Sequence, residues 1–260
     1  MVVFNSKTLD ETPGRIGESG REQESMNQKR TTSESDKGNP KTLSRSAQRR
    51  ERERTQRLET ILRAAEHFFT TEGYHKSSME KIADEAEVSV GTLYFYFKNK
   101  EDLLMKLLDT IGFEIREILG QAFRARPRDS SGDGFDGLRR ASRAFFTDFC
   151  RNHPEKLTII FRESVGQSEV VEEKRKKIFS RLIGDLIDAA KNIARTTGCS
   201  FRSEESLDIV AAGILGTYER LAYRYLIWSS DPVDLEAIAN EAVDFAIGGV
   251  EALLTSEARD

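Results

Sequence analysis

Cysteine is scarce in this chain. Only two cysteines, Cys150 and Cys199, occur among 260 residues, and neither belongs to a Cys-x-x-Cys pair or to a Cys/His spacing. That pattern argues against a zinc site and against a disulfide framework. Both residues are therefore predicted to be free thiols, buried or partly buried, in a reducing compartment.

Long apolar runs are also missing. No stretch reaches the length of about 18 apolar residues that a membrane-spanning helix needs, and the N-terminus carries no apolar signal-peptide core. The sequence therefore predicts a soluble cytoplasmic protein with no membrane partner.

Signatures of catalysis and metal binding are absent as well. His67, His75 and His153 have no spacing typical of a catalytic pair or metal site, and no Gly-rich phosphate loop or nucleophile elbow occurs. Residues 129–134 have the acidic and glycine pattern of an EF-hand loop, but its twelfth position is Arg140 instead of a bidentate Glu. We expect no enzymatic activity, no metal site and no cofactor.

Residues 77–97 hold the most informative pattern, two short helices joined by a tight connection. Ser77 and Glu80 match a capping box that starts the first helix, and Ser89 is the predicted N-cap of the second. Only about three residues separate the two helices, which is typical of a DNA-binding helix-turn-helix whose second helix lies in the major groove.

The second helix has small residues at its start, which let its free N–H groups approach phosphate closely. Thr92 offers a methyl group suited to thymine, and the phenols and lysines that follow can reach phosphate oxygens. Leu93 and Phe97 are instead predicted to face the core, from their helical spacing. The predicted DNA-binding residues are Ser77, Ser78, Ser89, Val90, Gly91, Thr92, Tyr94, Tyr96, Lys98 and Lys100.

Two segments precede the helix pair. Residues 1–44 are polar with almost no apolar periodicity, so a disordered extension is predicted; Met26 lies inside it, and translation could start at Met1 or at Met26. Residues 45–57 then contain six arginines and two glutamates. This basic run is either a solvated helix extension or, slightly favoured by its position, a basic arm along or in the DNA minor groove.

The remaining chain is helical in pattern, and no stretch has a convincing strand pattern, so an all-α fold is predicted. A helix over 55–72 that ends at Gly73 supports the helix pair. Six further helices are predicted: one capped by Asn99, then 138–152, one opened by Pro154, 168–197, 203–228, and one after Pro232.

The segment from Gly73 to Leu103 resembles the DNA-binding signature of the TetR family of one-component transcriptional regulators. The resemblance rests on Gly73, Ser77 and Ser78, Ile82 and Ala83, Val88 and Ser89, Gly91, Leu93 to Tyr96, Phe97 and Lys100. One position departs from the family pattern, because Glu87 stands where the turn usually has Gly. If that residue lies at positive φ, Glu carries a steric cost that Gly does not.

The resemblance implies a three-helix helix-turn-helix DNA-binding domain over 45–98 and a six-helix effector-binding and dimerisation domain over 99–260. It implies a homodimer formed by the last two helices, with recognition helices about one DNA turn apart on a palindromic operator. It also implies a repressor that is released when a ligand moves the connector helix.

An effector pocket among the middle helices is likewise implied, and the abundance of Phe favours a small hydrophobic effector such as an acyl chain or an aromatic compound. Ordinary core packing stays open for each apolar candidate. The candidate ligand-binding residues are Phe145, Phe149, Phe161, Arg162, Phe179 and Tyr218, with Ile160 beside them and Glu163, Glu219 or Arg220 as further polar anchors.

A competing interpretation is a helical protein-interaction adaptor that has lost DNA binding, for which the acidic Glu87 is the only support. The salt dependence of DNA affinity separates the two interpretations. The affinity of a DNA-binding regulator falls steeply as salt rises, because its Lys and Arg side chains contact phosphates.

Overall fold

The computed structural model describes residues 44–125, 132–229 and 231–256. Those residues form nine α-helices, of which three continue as π-helical segments, and one short antiparallel strand pair. The all-α prediction is confirmed. The predicted disordered extension over 1–44, apart from Ser44, lies outside the described residues, as do residues 129–131 of the calcium-like loop. No helix of the described residues is long and apolar enough to cross a membrane.

Helix α1 (Arg45–Thr71) is about ten residues longer than the sequence predicts at its N-terminal end. The basic run is helical and continuous with the supporting helix, and its contact with DNA stays a prediction. Only the C-terminal half of α1 packs on the core, through Ile61, Ala64, Ala65 and Phe69. Gly73, at φ 86°, follows the helix end as predicted.

Helices α2 (Met79–Glu85) and α3 (Val90–Tyr96) form the predicted pair. The cap of α2 is Ser78, however, whose Oγ accepts from the Lys81 backbone N–H at 3.3 Å. The predicted Ser77–Glu80 capping box is wrong because Ser77 is buried and turns its Oγ to the Gly73 carbonyl at 2.8 Å. Ser89 caps α3 as predicted.

The connection between α2 and α3 places Glu87 at φ 54°, in the left-handed region. No other described non-glycine residue has a positive φ. The turn is held by backbone bonds from the Glu87 N–H to the Asp84 carbonyl and from the Val88 N–H to the Ala83 carbonyl, each 3.0 Å. Glu87 therefore carries the steric cost that the sequence analysis anticipated.

Six α-helices follow, as predicted. Asn99, Ser168 and Ser203 cap their helices with side-chain oxygens, and Pro154 opens α6 at its first turn. The elements are α4 (Lys100–Arg124), α5 (Asp136–Arg143) with π1 (Ala144–Cys150), α6 (Pro154–Thr158) with π2 (Ile159–Glu163), α7 (Glu169–Thr197), α8 (Glu204–Ala222) with π3 (Tyr223–Ile227), and α9 (Leu235–Leu253).

Packing centres on α4 and α7. Helix α4 packs against α5 and α7, α7 packs against α8, and α9 packs against α5 and α8. Gly112 allows the approach of α4 to α7, since a Cβ there would lie 2.8 Å from Ile178 Cγ2. The predicted boundary at 98/99 between two domains stays a prediction, because α1 packs against α4, α6 and π2 as well as α2.

One short strand pair is present, although the sequence predicts no strands. Strands β1 (Cys199–Phe201) and β2 (Leu254–Ser256) pair antiparallel, with Ser200 opposite Thr255. Gly198, at φ 68°, ends α7 and turns the chain into β1. Three-residue strands are too short to produce a recognisable alternation in sequence.

Both cysteines are free thiols, as predicted. Cys150 is fully buried and Cys199 is partly buried. Burial raises the pKa of the Cys150 thiol well above its usual range. A thiol that stays protonated is a poor nucleophile, so Cys150 serves as a core residue.

Replacing Glu87 with Gly should stabilise the protein, because Gly occupies φ 54° without a Cβ clash. We expect the free energy of unfolding to rise by about 0.5–1 kcal/mol after the greater flexibility of Gly in the unfolded chain is subtracted. Urea unfolding measures the change. Glu87→Ala removes the same charge but keeps the steric cost, so equal stabilities for the Gly and Ala variants would contradict the backbone explanation.

Candidate nucleic-acid interface and effector cavity

The start of α3 is ordered by Ser89 and Thr92. Ser89 Oγ accepts from the Thr92 backbone N–H at 3.0 Å and lies 2.8 Å from Thr92 Oγ1. The two hydroxyls are therefore hydrogen-bonded to each other at the helix start. The contact between the Thr92 methyl group and thymine stays a prediction.

The outer face of α3 is open. Val90 and Tyr94 are exposed, Gly91 has no neighbouring side chain closer than Ser89, and the Phe95 side chain is 81% exposed. Leu93 and Phe97 are buried, which confirms their predicted core positions. Phe95 lies in the aromatic run at 94–97 but was not among the predicted contacts; its exposure adds it to the candidate interface.

Lys100, predicted to contact DNA, instead forms hydrogen bonds within the protein. Its Nζ donates to the carbonyls of Tyr74 at 2.6 Å, His75 at 3.1 Å and Ser77 at 2.8 Å, and it lies 4.6 Å from the centroid of the Tyr74 ring. Burial lowers the pKa of Lys100. An ammonium group has three donors, all used here, so Lys100 is removed from the predicted interface.

Ser77 is removed as well, because its buried Oγ bonds to Gly73. Tyr96 is half-buried and packs against the core, with its ring edge-to-face on Phe95 at 5.6 Å. The Ser78 hydroxyl is engaged as the cap of α2, and Lys98 is exposed. The remaining predicted contacts stay predictions: Ser78, Ser89, Val90, Gly91, Thr92, Tyr94, Tyr96 and Lys98.

The loop before α2 is bonded to π2 through Glu163. The Glu163 carboxylate, at the end of π2, accepts from the Tyr74 backbone N–H at 2.8 Å and from Arg162 Nε at 2.8 Å. Its side chain is only 14% exposed, whereas that of Arg162 is 46% exposed. A carboxylate bond to a backbone N–H in a partly buried place is among the stronger hydrogen bonds.

A second junction joins α1 to α4 and α6. Lys156 on α6 pairs with Glu114 on α4, and Glu66 on α1 lies beside Lys156 and Glu155. Burial raises the pKa of Glu66 to about 7, with Glu155 and Glu114 adding to the rise and Lys156 opposing it. Glu66 therefore titrates within the physiological range at the contact between α1 and α6.

An apolar cavity of about 370 Å³ lies among α4, α5, π1, π2, α7 and α8. Four of the predicted ligand-binding residues, Phe145, Phe161, Phe179 and Tyr218, line it. Its volume lies within the range of small-molecule sites, roughly 300–1,000 Å³. Burial raises the pKa of Tyr218 to about 12, so this lining phenol stays neutral.

Two predicted lining residues do not reach the cavity. Phe149 is fully buried but does not line the cavity. Its ring stacks on that of Phe145, with ring centroids 6.3 Å apart. Arg162 faces solvent because it follows Ile160 and Phe161, which π2 turns inward. Of the other anchors considered, Glu219 lines the cavity, whereas Glu163 and Arg220 do not.

Much of the lining comes from α4 and α7, although Phe179 is the only residue of these two helices among the predicted ligand-binding residues. Phe113 is 64% exposed although it lines the cavity, so it lies near an opening. Arg116 and Asp185 form a two-point ion pair there, with Nε–Oδ2 at 2.5 Å and Nη2–Oδ1 at 2.8 Å. Further lining residues from these helices are Leu119, Phe123, Leu182 and Leu186.

Within the described ranges, no group of three or more His, Cys, Asp or Glu side chains could hold a metal ion.

Replacing Glu66 with Gln should remove part of the pH dependence of stability. The unfolded chain releases the Glu66 proton near pH 4.5 and the folded protein near pH 7, so stability falls as pH rises through that window. Thermal midpoints measured from pH 4.5 to 8 should fall less steeply for the Gln variant than for the parent. Glu59→Gln, an exposed change on the same helix, serves as the control. Parallel curves for all three proteins would rule out the assignment.

Comparison with known proteins places the candidate interface in a family. The family model described as bacterial regulatory proteins, tetR family, matches residues 61–107, which span the packed half of α1, the helix pair and the start of α4. The chain is 28% identical over 196 residues to the fatty acid metabolism regulator protein of Bacillus subtilis, covering 73% of this chain and 93% of the relative. It is 27% identical over 197 residues to the HTH-type transcriptional activator FasR of Mycolicibacterium smegmatis, covering 76% and 84%.

A solved structure with the same architecture is that of the transcriptional regulator FadR from Bacillus subtilis in complex with stearoyl-CoA. It superposes with a TM-score of 0.62 at 21% identity and covers 74% of this chain and 98% of its own. At that identity the likeness shows the fold. The chain is also 30% identical over 142 residues to the HTH-type transcriptional regulator YhgD of Bacillus subtilis, covering 52% of this chain and 70% of that relative. With the family match over the helix-turn-helix, this relationship shows that the chain belongs to the TetR family of DNA-binding transcriptional regulators.

Proposed function

We propose that this regulator is a cytoplasmic homodimer that represses transcription by binding a palindromic operator and leaves it when a long-chain hydrophobic effector enters the cavity. The observation that carries the proposal is the pairing of an open recognition face on α3 with an apolar cavity whose wall is bonded to the loop before α2.

Helices α8 and α9 supply the surface for a second copy. Ile209 is 63% exposed and Phe245 is 71% exposed, which is costly for large apolar side chains in water. Each is followed at helical spacing by glycines with no atom within 4 Å of an added Cβ: Gly213 and Gly216 on α8, and Gly248 and Gly249 on α9. Small residues beside a large one let a partner helix approach closely.

Such a dimer would be isologous, with the same surface used by both copies. Two-fold symmetry would then carry the two α3 helices onto successive major grooves, about 34–36 Å apart. A palindromic operator follows from that symmetry. Occlusion of a promoter by the bound dimer accounts for repression.

The cavity lining favours a hydrocarbon effector. Aromatic and aliphatic side chains from six elements surround it, and two of its charged side chains, Arg116 and Asp185, are paired with each other. The solved relative was crystallised with stearoyl-CoA, and a fatty acyl group is a chemically suitable occupant for this apolar wall. We therefore propose a long-chain acyl compound as the effector class.

Segment π2 provides the route from the cavity to the DNA-binding helices. Ile160 and Phe161 line the cavity, and Glu163, two residues on, holds the Tyr74 backbone N–H. An effector that displaces Phe161 must shift π2, and with it the loop that leads into α2. The effector acts by its different affinity for the two arrangements of this loop.

Thr92 is predicted to set sequence preference. In Thr92→Ala the methyl contact is lost, and discrimination at one base pair should fall by about 1 kcal/mol, roughly fivefold. Binding to operator fragments and single-base variants, titrated with random DNA as competitor, measures it. Thr92→Val keeps a methyl group and should keep the preference. Identical base preferences for the parent and the Ala variant would contradict a reading role.

Glu163 is predicted to couple effector to operator. In Glu163→Ala the Tyr74 N–H loses its acceptor, so acyl-CoA or fatty acid should still bind the cavity but should release operator DNA several-fold less effectively. Paired titrations of effector binding by calorimetry and of operator release by fluorescence anisotropy separate the two effects. Glu163→Gln retains an acceptor oxygen and should respond like the parent. If effector released operator DNA from the Ala variant as effectively as from the parent, the proposed route through Glu163 would be refuted.

A further inference from the structure

The helix pair that reads DNA is itself acidic. Residues 72–102 contain four lysines and seven carboxylates. Lys100 donates only to backbone carbonyls, and Lys81 Nζ is held by the Glu72 carboxylate at 2.7 and 2.9 Å. Lys76 and Lys98 are the two exposed lysines of this range without such a bond. Little positive charge is therefore available beside α3.

DNA affinity depends on that charge, because neutralisation of phosphates by Lys and Arg supplies most sequence-independent binding. The whole chain has a net charge of −4. A compensating basic surface must lie elsewhere on the molecule if the regulator is to hold an operator at physiological salt.

The N-terminal extension of α1, residues 45–57, is that surface. It carries six arginines and two glutamates, and residues 49–57 are all exposed. At 1.5 Å per residue it extends about 18 Å from Arg45 to Arg57. Arg49 is paired with Glu53 at 2.7 Å, whereas Arg50, Arg54 and Arg57 form no ion pair within the described residues.

These three arginines lie on one side of the helix. Their spacing of four and three residues aligns them, and the next position in the series, Ile61, is buried against the domain. The arginine row thus continues the buried side of α1. Further along the chain, α1 packs against α2 of the helix pair as well as against α4, α6 and π2.

We infer that the α1 extension is a second DNA-binding surface, in which Arg50, Arg54 and Arg57 contact the phosphate backbone beside the bases that α3 reads. The inference rests on the operator-binding function. A helix about 10–12 Å wide with its side chains does not fit a minor groove of about 6 Å, so the extension lies along the backbone instead of inside the groove. Phosphate contacts position the protein without reading sequence.

The test is a triple variant, Arg50→Ala, Arg54→Ala and Arg57→Ala. Alanine favours helix, so circular dichroism should show no loss of the extension. The matched control Arg181→Ala, Lys191→Ala and Arg195→Ala removes the same charge from exposed positions of α7. A third variant, Arg50→Lys, Arg54→Lys and Arg57→Lys, keeps the charge. Each protein is titrated with an operator fragment and with a random duplex from about 50 to 200 mM salt.

For the triple Ala variant we expect at least a tenfold weaker affinity at the lowest salt. The slope of log K against log salt should fall by about 0.9 for each lost contact, or roughly 2–3 per protomer, for both DNAs. The ratio of operator to random affinity should stay that of the parent, and the Lys variant should behave like the parent. A slope equal to that of the α7 control would overturn the inference and identify the run as a solvated face.

The random duplex separates this inference from the proposed function. If the parent shows no preference for any operator fragment, yet the triple Ala variant loses affinity for the random duplex, the operator function fails and the backbone contact stands. If operator preference is present and the slopes are unchanged, the operator function stands and the backbone contact fails.

Discussion

The ammonium group of Lys100 is the constraint on which the rest of the DNA-binding region depends. It is the first residue of α4, and it gathers the carbonyls of Tyr74, His75 and Ser77 around one charge. These carbonyls belong to the loop between α1 and α2, where no helix supplies backbone N–H groups to bond them. One side chain thereby fixes where α2 starts relative to α4, and α3 is positioned in turn by its short connection to α2.

The same loop is also bonded to π2, through Glu163. Glu163 bonds the Tyr74 N–H, while Lys100 bonds the Tyr74 carbonyl, so one peptide residue is held by a carboxylate on π2 and a cation on α4. Both α4 and π2 also line the cavity. The loop that leads into the helix pair is therefore bonded to two elements of the cavity wall through a few charge-assisted hydrogen bonds, whose geometry tolerates little displacement.

Local signals in the sequence predicted local structure well. Asn99, Ser168 and Ser203 precede acidic first turns and apolar periodicity, and each caps a helix. Ser77 and Ser78 are adjacent and chemically alike, so pattern alone could not choose the cap. The roles of Lys100, Phe149 and Arg162 depend on contacts between distant segments, which spacing does not encode. The same holds for the Arg116–Asp185 pair, 69 residues apart in sequence.

The β1–β2 ladder has a consequence for how α8 and α9 meet a partner. It joins the residues just before α8 to those just after α9, and the Arg202 N–H extends the joint to the Leu253 carbonyl at 3.2 Å. The entropic cost of closing this segment of about fifty residues is therefore part of folding. Helices α8 and α9 are therefore joined at their ends before any partner packs against them, so association need not supply the entropy of ordering that joint.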